Sequence, residues 1–168
     1  MATATKDKAI TAGKTHIVAE PGKQEIVITR LFDVPRERLF KVMNDPELLP
    51  QWWGPERYTT TVEKMDVRPG GSWRFVQAAA DGGTHAFHGV YHEVRPPERL
   101  VYTFEYEGVP GHVTMDTITF EDTGGKTLLR EQSVFQSVED RDGMVQSGME
   151  EGANASMERL EALLTKAQ

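Results

Sequence analysis

Between residues 59 and 135 the chain alternates short β-like runs with turn residues, six runs in succession, and few architectures accept that rhythm. The runs are TTTVEKMDV, SWRFVQ, FHGVYHEV, RLVYTFEYE, HVTMDTITFE and KTLLREQSVF. Between them stand RPGG, ADGG, RPPE, GVPG and DTGG. Each break carries Gly for positive φ, Pro for fixed φ or Asp for local side-chain hydrogen bonds. Runs joined by such short turns predict a consecutive antiparallel meander. RPGG at 68–71 is read as one of these turns, because no helix follows it at the spacing of a phosphate-binding loop.

Helical signals flank the meander. EIVITRLF at 25–32 is β-branched and apolar and reads as a strand. DVPRERLFKVMND follows, with Asp33 and Pro35 at a helix start and Leu39, Phe40, Val42 and Met43 as its apolar stripe. Pro46 restarts a short helical turn, which Pro50 limits. At 140–166 the period becomes helical: Val145, Met149, Ala153, Met157, Leu160 and Leu164 share a face that Glu150, Glu151, Asn154, Glu158 and Glu161 avoid. A helix of about 24 residues would run ~36 Å, enough to cross a sheet. Residues 1–24 lack periodicity and read as a mobile tail, with Ile17 and Val18 able to add a short edge strand. A single domain over 25–168 follows.

The first strand must pair with the meander, since an isolated strand leaves its backbone groups unpaired. The expected fold is α+β: a curved antiparallel seven-stranded sheet around a long C-terminal helix, with two short helices after the first strand. A curved sheet cannot lie flat along a straight helix, so a gap between them is expected.

Composition narrows the function. With 168 residues the chain suits one domain. A net charge of −7 and no basic stripe argue against nucleic acid. The absence of cysteine excludes disulfides, thiol catalysis and cysteine-ligated zinc. No apolar run approaches the ~18 residues of a membrane span, and MATATKDKAI lacks the apolar core of a secretory signal, so a cytoplasmic protein is expected. His88 and His92 lie four apart on a strand, a spacing that suits chelation on a helix. His85 and His112 fall at turn edges and His16 in the tail, so no metal is expected, and no cofactor.

The stretches ITRLFDVPRERLFKVMNDPELLPQWWGP, MDVRPGGSWRF, HGVYHEVRPPERLVYTFEYEG and GMEEGANASMERLEALL span residues 26–164. In combination they resemble the SRPBCC superfamily, the helix-grip fold of START lipid-transfer domains, polyketide cyclases and birch-pollen-allergen-like proteins. The closer resemblance is to the branch named for the activator of the ATPase of the ninety-kilodalton heat-shock protein. This resemblance implies a hydrophobic cavity between sheet and C-terminal helix, with the Trp52–Trp53 region by its entrance. It implies no single activity, since the superfamily holds carriers, enzymes and co-chaperones.

The expected register turns Trp73, Phe75, Gly89, Tyr91, Tyr102, Phe104, Met115, Thr117 and Leu129 inward, where a slip of one residue would invert the set. Gly89 would leave room beside the helix. Trp52 and Trp53 anchor the loop after the short helix; adjacent residues of a regular turn cannot both face inward, so one packs and the other is freer. Met149, Gly152 and Ala153 bring the C-terminal helix to the ligand, and Met115, Met144, Met149 and Met157 suit an adaptable apolar wall. Gly148 and Gly152 each cost ~1 kcal/mol inside a helix, offset by close helix–sheet approach or by clearance above a cavity. Glu131 turns inward in this register, as partner of an arginine at the rim or as a general acid or base.

Three functions follow from these features. The favoured one is a protein that binds a small hydrophobic or aromatic ligand. The alternative is an enzyme of the polyketide cyclase or dehydratase type using Glu131, His88 or Tyr91; no hydrolytic triad or paired-carboxylate signature stands out. The third is a co-chaperone, disfavoured because a full activator carries a further N-terminal domain. Homodimerisation through strand edges or loops stays open.

Overall fold

The computed structural model describes residues 10–166. Alternating apolar positions build one antiparallel sheet from β1 (His16–Val18), β2 (Glu25–Phe32), β3 (Tyr58–Met65), β4 (Ser72–Ala79), β5 (Thr84–Arg95), β6 (Arg99–Tyr106), β7 (Val113–Thr123) and β8 (Lys126–Val134). Its spatial order is β1-β2-β8-β7-β6-β5-β4-β3, so the meander runs consecutively and β2 closes onto β8. The sheet has eight strands rather than seven. The additional one is β1, which pairs Ile17 with Ile28 inside the segment read as a tail; residues 1–9 lie outside the described residues.

Helix α1 (Arg36–Met43) begins after Pro35, whose fixed φ suits a helix entry, and buries Leu39, Phe40, Val42 and Met43. Phe40 meets Phe120 of β7 with ring centroids 5.1 Å apart. A 3-10 turn at Leu49–Gln51 then carries the chain to Trp52. These are the two short helices expected after β2.

The C-terminal helix is not continuous. Helix α2 (Val138–Gln146) starts at Ser137, whose side chain accepts from the Asp140 N–H, and ends at Ser147. Gly148 then takes φ +86°, the left-handed conformation that stops a helix. Helix α3 (Met149–Lys166) follows, with 18 residues and hence ~27 Å. Val145, Met149 and Ala153 are spaced four apart across the break, which is why the pattern alone suggests one helix, but Val145 is exposed and does not share the buried face.

Helix α3 is fixed mainly through its second half, where Met157, Leu160 and Leu164 are buried, each contributing ~1.5–3 kcal/mol by removal from water. Arg30 of β2, 2 % exposed, donates to Glu161 at 2.6 Å and to the Thr15 hydroxyl at 2.8 Å. The Arg38 guanidinium donates to the Leu164 carbonyl at 2.5 Å. Toward the other end, a Cβ added at Gly152 would meet no atom within 4 Å.

The two glycines should therefore respond oppositely to alanine. Gly148→Ala forces a side chain into left-handed backbone and should lower stability by about 1 kcal/mol. Gly152→Ala removes a helix-breaking residue without a clash and should raise it by about 1 kcal/mol. Urea midpoints at constant m-value check both.

Candidate functional site

The space between the sheet and the first half of α3 is a cavity of about 280 Å³. Ile26 and Ile28 of β2, Gln77, Phe87, Tyr102 and Phe104 belong to its sheet side. Met149, Gly152, Ala153, Ser156 and Met157 come from α3, and Met144 from α2. A second space of about 60 Å³ shares the walls Trp52, Trp53, Tyr102, Phe104, Met43 and Ile118 with it. Trp73, Phe75 and Tyr91 line this smaller one.

The tryptophan loop closes the site because it is tied down on two sides. The Gly54 N–H donates to Ser156 Oγ at 2.8 Å, and Arg159 of α3 donates to the Gly54 carbonyl at 2.6 Å. The Thr60 hydroxyl donates to the Trp53 carbonyl at 3.2 Å. Trp52 is 6 % exposed and packs in the core. Trp53 is half-buried and stands edge-on to Phe75 and Phe87, both at 5.2 Å. Adjacent in sequence, the two thus divide the roles, one packed and one freer, while both line the cavity.

Four residues expected at the wall are placed elsewhere. Met115 is 48 % exposed and Thr117 also lies on the outer face, because β7 is in the opposite register. Ile118 and Phe120 set that register by pointing inward, which carries Thr114 and Asp116 inward with them. Leu129 faces in but is consumed by core packing. Gly89 leaves no room beside the helix: a Cβ there would lie 1.8 Å from the Thr103 carbonyl oxygen and 2.6 Å from Trp73 Nε1. His88 is also outside the cavity, at 3.1 Å from Glu107 and 3.5 Å from Glu105. Arg74 pairs with the same Glu107 at 2.8 Å. Among the described residues no group of three or more His, Cys, Asp or Glu is placed to hold a metal ion.

Sequence reasoning missed Asp116. It lines the cavity, is 5 % exposed, and leaves Oδ1 without a hydrogen-bond partner. Asp116 stands opposite Ser133 across β7 and β8, and opposite Tyr102 across β6 and β7. Glu131, two residues before Ser133, is on the same face and lines the same cavity. Two carboxyl groups therefore share one wall with a phenol and a hydroxyl. The signal was present in HVTMDTITFE, where period two counted back from Phe120 and Ile118 reaches Asp116 and Thr114.

The family model described as Activator of Hsp90 ATPase homolog 1-like protein matches residues 33–165. Among solved structures, the chain is similar to a Rhodobacter sphaeroides protein at 24% identity over 91% of this chain and 99% of that one, with a TM-score of 0.84. An Arthrobacter aurescens protein is similar at 25% identity over 90% of this chain and 91% of that one, with a TM-score of 0.83. The AHSA1 protein of Silicibacter pomeroyi is similar at 25% identity over 86% of this chain and 99% of that one, with a TM-score of 0.71. Curated proteins return no match to this sequence. Among the described residues no helix is long and apolar enough to cross a membrane.

The carboxyl pair is electrostatically costly. Burial raises Asp116 to about 7, against the hydrogen bond from Ser133. Burial also raises Glu131 to about 8; the nearby Asp116 charge adds to this and the Tyr102 hydroxyl opposes it. Tyr102 is itself pushed well above its ordinary value by burial and then by Glu131. In the unfolded chain these carboxyls would titrate near 3.8 and 4.5. Between those values and about 8 the folded protein holds protons that the unfolded chain has released, so stability falls as pH rises through that window. Thermal midpoints should drop by several degrees from pH 5 to pH 8, and Glu131→Gln or Asp116→Asn should flatten the slope. An unchanged slope in both variants would show that the pair does not carry it.

Proposed function

This chain belongs to the Activator of Hsp90 ATPase homolog 1-like family, and from that membership we propose that it binds a small hydrophobic or aromatic molecule between the sheet and α3. The cavity is the observation that carries this reading. Its volume of about 280 Å³ is close to the lower end of small-molecule sites, roughly 300–1,000 Å³. Its wall suits such a ligand: aromatic rings from Trp53, Phe87 and Phe104, adaptable thioethers from Met144, Met149 and Met157, and a polar side built around Tyr102, Asp116, Glu131 and Ser133.

A second reading is supported by Asp116 and Glu131. Two carboxyls raised toward neutrality beside a cavity suit proton transfer on a bound molecule, as in the cyclase-like alternative. Glu131→Gln separates the two: an enzyme loses turnover, whereas a carrier changes affinity only. A chaperone-activating role needs an exposed protein-binding face, which the interior site does not support.

Native mass spectrometry on gently purified protein, with a denatured control, tests ligand binding. The expected spectrum carries an added mass that denaturation releases. Gly152→Leu projects a side chain from α3 into the cavity and should lower the occupied fraction at least tenfold while unfolding remains cooperative. Occupancy undiminished in that variant would place the ligand elsewhere.

A further inference from the structure

The polar side of the cavity narrows the class of ligand. Its wall holds two carboxyl groups and no Lys, Arg or His. Buried carboxylates ordinarily sit opposite a cation, so the nearby cations matter. Arg30 is on the same face of β2 as Ile28, the register partner of Glu131, but is held by Glu161 and Thr15. Arg159 is committed to the Gly54 and Pro50 carbonyls. Arg141 of α2 donates to Asp142 and to the Glu20 carbonyl. The remaining ionisable group at this wall is Tyr102 on β6; Tyr91 of β5 neighbours it in the smaller space, and neither supplies positive charge. From α3 the cavity receives Met149, Gly152, Ala153, Ser156 and Met157, none of them ionisable.

An independent feature points the same way. Asp116 Oδ1 is a buried acceptor without a donor, and the cavity it lines is walled by Trp52, Trp53, Phe87 and Phe104. Aromatic faces and a carboxylate together form the surroundings that favour an organic ammonium group. We propose that the ligand is an apolar, ring-bearing amine whose ammonium group donates to Asp116 and is neutralised by the Asp116–Glu131 pair. This rests on the ligand-binding reading above and adds the charge of the ligand to it. Anionic amphiphiles, fatty acids among them, meet two carboxyls and no counter-cation in the same cavity.

Binding of an ammonium group displaces protons from the pair. Affinity for an amine therefore rises with pH until the pair has ionised in the free protein, and each displaced proton steepens the rise by about tenfold per pH unit. A neutral molecule of the same shape gains nothing from that rise.

Three probes of equal ring size test the proposal on the full chain by titration calorimetry: naphthylmethylamine, naphthylmethanol and naphthylacetate. The amine should bind at least tenfold tighter than the alcohol at pH 8, strengthen from pH 5.5 to pH 7, and release protons when two buffers of different ionisation enthalpy are compared. The acetate should bind weakest. Glu131→Gln and Asp116→Asn, checked for cooperative unfolding, should each remove most of the preference for amine over alcohol. The pH series needs only the unaltered protein and stands if a variant fails to fold. Alcohol or acetate binding as tightly as the amine overturns the inference while leaving ligand binding intact. No binding by any probe, with no bound mass in the native spectrum, overturns both.

Discussion

A straight helix cannot follow a curved sheet along its whole length, and the site is a consequence of where contact is made and where it is given up. Contact is made through Met157, Leu160 and Leu164, reinforced by the Arg30–Glu161 pair and by the Arg38 bond to the Leu164 carbonyl. It is given up around Gly152 and Ala153, which line the cavity with minimal side chains. The break at Gly148 lets α3 begin at Met149, over the cavity, rather than as an extension of α2. The Trp52–Trp53 loop closes the remaining side, bound to α3 by Ser156 and Arg159, so the helix that roofs the cavity also positions its wall.

Much of this was readable from the residues. The turns between β3 and β8 carry Gly, Pro and Asp for local reasons, and the strands between them run in the consecutive order that short turns require. The inward sets on β4 and β5 were also legible, because Trp73, Phe75 and Tyr91 alternate with more exposed residues. β1 was marginal because three residues with one apolar pair carry little periodicity.

What escaped the sequence has a physical explanation in each case. HVTMDTITFE offers two alternations, and the one with Met115 and Thr117 inside spares Asp116 desolvation. The structure takes the other, since Ile118 and Phe120 bury more apolar surface than Met115 and Thr117 would. Glu131 read alone was expected to find an arginine at the rim; the candidate on its face, Arg30, is already engaged by Glu161. The pair Asp116–Glu131 has no motif, because its members are brought together by strand register and not by spacing along the chain. Functional interiors are where local rules are expected to fail.

That failure is itself informative about why the carboxyls are retained. Buried ionisable groups that serve stability alone are generally replaceable by well-packed apolar residues at no loss, and often at a gain. Here the structural return is small: Ser133 beside Asp116 and Tyr102 beside Glu131 each favour the charged form, yet burial still drives both carboxyls far above their ordinary values. A purely architectural wall would place valine or leucine at both positions and complete the core. Arg30, by contrast, is buried with a partner and joins sheet to helix, which is what a structural charge looks like in this fold. The carboxyl pair faces a cavity, and that placement is what distinguishes it from Arg30.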